Sequence, residues 1–413
     1  MIRRKVLLGN PRAGIYMKNL EAYRLLFPVT LVGGVLAIGI WMPVLAVQKG
    51  WITGGRILTG YPAQIHSEQV VGLFLLPALA GFIFTGFYRF TGRPAPAQRT
   101  VQIFLVSTLA LFPLSYLENR LVFHILFTSL LIWLSIYSFQ LQNQSAARTT
   151  HLWLVPAGLA LGAIGAIMFV VSDLSDYKSY FRTGRAFLYY GMMPSLILGV
   201  GSRLIIPVVA GDNPHLRDKW KSHLDGMKVS QAGFFGGLFL LSFLLEAFSA
   251  IFMKREAPLV WTWSLRLVFF AWWLIQYFHI LEWRSFRGAA RVSILVSCYF
   301  MLAGILGGIL SPDQSVHYAH LYFAGGIALF LLMIMIRMSL SHGGHSLEGE
   351  KKSPFIWTIL FLMVVAALTR GTAQLFPAIY FSHLAYAALL FVISLILWAI
   401  KFLPGVLKIK SST

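Results

Sequence analysis

Cysteine is almost missing from this chain of 413 residues: Cys298 stands alone inside an apolar segment. That excludes an internal disulfide and a thiolate metal cluster, so a soft metal would have to be held by histidine, methionine or carboxylate. Acidic residues are scarce as well, 14 against 34 Lys and Arg, and charged residues of all kinds make up only 12%. Long polar stretches are lacking: the longest connections, around 212–228 and 343–353, are too short to fold into a soluble domain. No sequence motif for a nicotinamide, flavin or quinone is visible. The glycines, including Gly307, Gly308, Gly325 and Gly326, sit inside apolar runs and read as helix packing rather than phosphate loops. The N-terminal stretch is basic and has no apolar run of signal length, so the first span is expected to act as the targeting signal.

What is present is apolar surface, 58% hydrophobic residues with a mean hydropathy of +0.73. A soluble domain cannot hide that much, so the predicted class is an all-α polytopic membrane protein. Runs long enough to cross about 30 Å of hydrocarbon fall near 25–46, 66–88, 100–117, 120–141, 151–171, 185–210, 230–252, 258–281, 289–310, 315–340, 355–373 and 377–403. This divides the chain into a basic segment 1–24, a twelve-helix membrane domain 25–403 and a tail 404–413. With the N-terminus inside, the cytoplasmic segments carry 23 Lys and Arg and the outer loops nine, with Arg203 and Arg266 within spans. Both termini are therefore expected in the cytoplasm. The net charge of +20 follows from this bias and from attraction to anionic lipid, not from a nucleic-acid partner.

Eleven histidines in such a chain are the main functional signal. Polar rings in lipid are costly, and nine of these lie within or at the ends of spans. On the predicted topology His66, His124, His317, His320 and His383 share the outer leaflet. His151, His279, His342 and His345 lie toward the cytoplasm, and His215 and His223 occupy a cytoplasmic loop. His317 and His320, three apart, can point to one side of their helix. His66 and Glu68 cannot share a helical face. Imidazole suits iron, copper, zinc and haem, and without a usable thiolate the choice narrows to haem, copper or both. Any one of these rings could instead be a packing residue or a headgroup contact.

Three further features stand out. His279 and Glu282 are three apart and predict an imidazole and a carboxylate on one face, a metal or proton-relay pair or a hydrated helix end. Arg203 and Arg266 need anionic partners within the membrane. Glu246 or haem propionates would serve, and snorkelling is the structural alternative. The methionines of LLMIMIRMSL read as core packing.

Two segments resemble the NnrS family of bacterial membrane proteins associated with the response to nitric oxide. In HLYFAGGIALFLLMIMIRMSLSHGGH, His320, Arg337, Ser339, Leu340, His342 and Gly344 fall on matching positions. In AGFIFTGFYRFTGRP, Ala80, Gly81, Phe82, Thr85, Thr91, Gly92 and Arg93 do the same. YRLLF at 23–27 and SRLIIP at 202–207 are weaker echoes. Where the family opens its second span with His-x-His-Glu, this chain has His66, Ser67, Glu68, Gln69, a carboxylate in place of the second imidazole. The resemblance implies a multi-pass protein of the bacterial inner membrane that binds haem, of b type, and nitric oxide or another diatomic. Haem through His66, His124, His320 and His317, with Arg203 and Arg266 near its carboxylates, is the leading expectation. A metal set of His66, Glu68, His124, His320, His279 and His342 is the wider one, with copper disfavoured by Glu68. Reduction of a bound gas would need an outside respiratory electron donor, and whether the protein is an enzyme stays open. A twelve-helix transporter or metal exporter, and a subunit of a respiratory complex, are the competing readings.

Overall fold

The computed structural model describes residues 21–145, 150–175, 177–210, 213–253, 260–282, 287–343 and 349–407. Among these the chain is helical throughout and no strand occurs. We number the main helices α1 (Ala22–Gln48), α2 (Pro62–Phe90), α3 (Gln98–Leu114), α4 (Leu121–Asn143), α5 (Thr150–Ser175), α6 (Lys178–Val208), α7 (Pro214–Asp225), α8 (Val229–Phe252), α9 (Val260–Tyr277), α10 (Ala289–Leu310), α11 (Pro312–Gly343), α12 (Pro354–Gly371) and α13 (Pro377–Leu407). All but α7 coincide with the twelve predicted crossings. Ten are long and apolar enough to span a bilayer on that basis alone. Of the other two, α3 has only 17 residues, and α9 is diluted by four tryptophans and Arg266. Both still pack lengthwise against their neighbours, α3 on α4 and α9 between α8 and α10. The protein is a multi-pass membrane protein.

Helices are obligatory here, because backbone groups in lipid must be satisfied within their own segment. Small residues then let the backbones approach. On α5 and α6, Gly165 and Gly184 face each other so closely that a Cβ on Gly184 would lie 2.5 Å from the carbonyl oxygen of Gly165. Buried polar side chains cross-link the spans. Gln69 Nε2 donates to Ser115 Oγ at 3.0 Å, Trp273 Nε1 to Ser202 Oγ at 2.9 Å and Trp398 Nε1 to the Leu332 carbonyl at 3.2 Å. The two described ends of the chain meet: Arg24 Nη1 donates to the Val406 carbonyl at 2.6 Å, so α1 begins where α13 ends.

The centre of the bundle is formed by α2, α6 and α11, the most deeply enclosed spans. Each is broken by π-helical turns: Val70–Leu75 and Ile83–Phe87 in α2, Phe187–Met192 and Ile197–Gly201 in α6, and Leu321–Ala328 in α11. A π turn inserts an extra residue, widens the helix and re-aims the side chains that follow, and such turns concentrate at functional sites. Sequence periodicity did not predict them.

Candidate functional site

At one end of the bundle α1, α2, α6, α11, α12 and α13 line a cavity of about 160 Å³. Its walls are mostly apolar, Phe74, Phe323, Phe391 and Ile327 among them, and its polar lining includes His66, His320, Arg185, Arg370 and Tyr189. His66 comes from the first turns of α2 and His320 from α11, directly before that helix enters its π segment. Their rings are nearly parallel, 9° apart, with centres 6.4 Å apart.

The protonation of both rings follows from their partners. His66 Nδ1 lies 2.8 Å from the Ala37 carbonyl and His320 Nδ1 2.6 Å from the Val316 carbonyl. A carbonyl only accepts, so each Nδ1 carries the proton and each Nε2 keeps its lone pair. A backbone carbonyl behind Nδ1 is the usual device for orienting an imidazole ligand. Trp41 packs edge-on to His66 with ring centres 5.6 Å apart, which holds that ring in place.

His317 and His383 stand beside the cavity rather than in it. His317 Nδ1 accepts from Arg370 Nη1 at 2.9 Å, which uses its lone pair and directs the guanidinium at the site. His383 Nδ1 lies 3.3 Å from the Thr369 carbonyl, and its ring stacks on Phe376. His124 belongs to a different cluster. Its Nδ1 donates to Asp173 Oδ2 at 2.5 Å and its Nε2 is 3.9 Å from Glu68 Oε1, which Arg120 Nε also meets at 2.7 Å. Glu68 is buried on the opposite side of α2 from His66, as a two-residue offset dictates.

The remaining sequence candidates are scattered. Arg266 pairs with Glu246, receives the Ser242 hydroxyl and backbone as further acceptors, and lies 3.9 Å over the Phe243 ring, so its counter-ion is a protein carboxylate. Arg203 lies 5.6 Å over the Phe90 ring, toward the other end of the bundle. His342 is 22 residues beyond His320 on α11, which at 1.5 Å per residue is about 33 Å away. There its Nδ1 meets Glu21 Oε1 at 3.0 Å, beside Arg89. Burial pushes the Glu21 carboxyl up, but His342, Arg89 and Arg24 facing it outweigh that and hold it below the usual carboxylate range. His279 follows the end of α9 with a left-handed backbone, φ 53°. Its Nδ1 is 3.3 Å from Glu282 Oε1, and its ring stacks on Trp220 at 4.4 Å. His215 and His223 are exposed on α7. His151 is buried with neither ring nitrogen partnered among the described residues. His345 and Gly344 lie outside them.

The structure therefore brings together two of the predicted haem ligands, His66 and His320, and sets His124, Arg203 and Arg266 apart from them. The six residues of the wider metal set fall in four places. Among the described residues no three His, Cys, Asp or Glu side chains converge on one point. Arg185, Arg370, Tyr189 and Trp41 were not singled out from the sequence. The two arginines read there as ordinary loop charges, and their location near span ends was the only available signal.

A search of curated proteins finds no match to this chain. The chain does match the family model described as NnrS protein over residues 20–410, nearly its whole length, and it therefore belongs to the NnrS family.

Proposed function

We propose that this protein binds haem in the cavity between His66 and His320 and, through it, binds or removes nitric oxide in a bacterial inner membrane. The observation that carries this reading is the pair of nearly parallel imidazoles, each with its Nδ1 against a backbone carbonyl, that line one largely apolar cavity. His66 from α2 and His320 from α11, with ring centres 6.4 Å apart, would be the residues that hold the haem iron. Haem also needs apolar walls for its macrocycle and cations for its carboxylates, and Arg370 and Arg185 in the cavity lining would supply the cations. These residues fit haem. Among the described residues the carboxylates and histidines are too scattered for a second, protein-only copper site, and none is proposed.

Bound there, haem would supply reversible diatomic binding and one-electron chemistry. The protein's own work is to hold the ligating tautomers through the Ala37 and Val316 carbonyls, to keep water out with aromatic walls and to orient Arg370 through His317. An apolar diatomic partitions into lipid, so a membrane-embedded cavity suits such a ligand better than a soluble one. The sequence carries no nicotinamide, flavin or quinone motif, so turnover would draw on a respiratory donor.

The test is the optical spectrum of the purified protein, oxidised, reduced and exposed to nitric oxide, with iron and copper quantified. The reading expects a Soret band that shifts with the gas. His66→Ala and His320→Ala should each abolish or strongly alter it, whereas His124→Ala and His279→Ala leave it. A well-folded, colourless and iron-free protein overturns the reading.

A further inference from the structure

The histidine cavity is not the only space inside the bundle. A second, smaller chamber of about 50 Å³, room for a few molecules of water size, lies deeper, between α2, α5, α6 and α11. Its thirteen lining residues include Leu79, Val155, Met193, Gly201 and Phe330; every one is apolar and every one is buried. A narrow pocket of about 10 Å³ adjoins it, lined by α2, α4 and α6.

These spaces share walls. Leu79 and Met193 border both the deep chamber and the small pocket. Leu75 and Tyr189 border both the small pocket and the histidine cavity. Ile327 borders the histidine cavity and the deep chamber directly. The π turns line the route: Ile83, Ile197, Val200, Gly201 and Ile327 all belong to π segments and all face the deep chamber. Widened turns in three adjoining helices leave space that regular helices would fill with side chains.

We propose that the deep chamber is a binding site for small apolar molecules of diatomic-gas size, connected past Leu79, Met193 and Ile327 to the histidine cavity. A water needs two to four polar partners, and this chamber presents no polar side chain, so it stays dry. A larger amphiphile finds no polar anchor inside. The dividers are side chains that rotate, Met193 being the most adaptable, so passage between chambers requires no backbone movement. The site stands on geometry alone and holds with or without haem. Joined to the proposed function, it is a reservoir that keeps gas beside the ligating histidines.

Xenon is the probe. Crystals of the detergent-purified full chain, pressurised with xenon, should show an anomalous peak between Leu79, Val155 and Phe330 and a second in the histidine cavity. Val155→Phe, which fills the deep chamber alone, should remove the first peak and keep the second. No xenon in the deep chamber of the unsubstituted protein, or ordered water or an acyl chain there, overturns the inference. The unsubstituted protein decides the matter even if Val155→Phe fails to fold. The experiment needs no haem, so its failure and that of the haem reading are separable.

Discussion

Replacing Glu246 by Gln should be among the most damaging conservative changes in the protein. Arg266 on α9 is 1% exposed and Glu246 on α8 is 6% exposed, so both charges are withdrawn from water. Breaking a buried ion pair by removing one partner typically costs about 3–5 kcal/mol, because the remaining charge is left uncompensated. Arg266 keeps Ser242 and the face of Phe243 after the change, and a desolvated cation–π contact contributes about 2 kcal/mol. That contact exists in both states and does not replace the lost carboxylate, while Nη1 already lacks a partner. We therefore expect a loss of about 3 kcal/mol, roughly a hundredfold in the unfolding equilibrium. The double variant Glu246→Leu with Arg266→Met removes both charges and should recover most of that loss. Equilibrium unfolding in mixed micelles measures all three proteins. A cost below about 1 kcal/mol for Glu246→Gln, or a double variant no better than the single, refutes the assignment of this pair as a mutually dependent structural unit. The chromophore, if it sits between His66 and His320, should survive both changes.

Arg370→Ala and Arg185→Ala should each weaken retention of a carboxylate-bearing cofactor, with Arg370 the larger effect because His317 positions it; haem dissociation rates compare them. His279 lies past the end of α9, where burial, against the opposing pull of the Glu282 carboxylate and with help from His223, holds its imidazole below the usual histidine range. Its folded form thus binds a proton less readily than the unfolded chain, so its contribution to stability is present above about pH 6.5 and is lost as the pH falls. Hydrogen exchange in α7, which packs on it through Trp220, should accelerate on acidification, and His279→Phe should remove that dependence. Gly304→Val should displace α11 from α10, since even a Cβ there would lie 2.8 Å from the Tyr318 carbonyl and the Tyr322 nitrogen. Overpacking of this kind costs about 1–3 kcal/mol, and His320 between those two residues in sequence should lose its register with His66, read as a weakened chromophore.

Helical membrane spans were legible in the sequence, ten of the twelve predicted runs being long and apolar enough to cross, because length and hydropathy report directly on the need to bury apolar surface and close backbone hydrogen bonds in lipid. Family membership was legible too, in the motifs around His320–His342 and Ala80–Arg93, which survive as short local strings. The histidines could be sorted by depth, since depth is set by position along a helix. Their rotation about the helix axis was not available. Which way a ring points depends on how helices pack and on the π turns of α2, α6 and α11, and these leave no periodic trace. Only the tertiary structure therefore faced His66 to His320, turned Glu68 and His124 to another cluster, gave Arg266 its partner in Glu246 and brought Arg185 and Arg370 to the cavity. Composition and local pattern determine that a chain enters the bilayer and where its apolar helices fall; long-range packing between helices decides which side chains share a cavity.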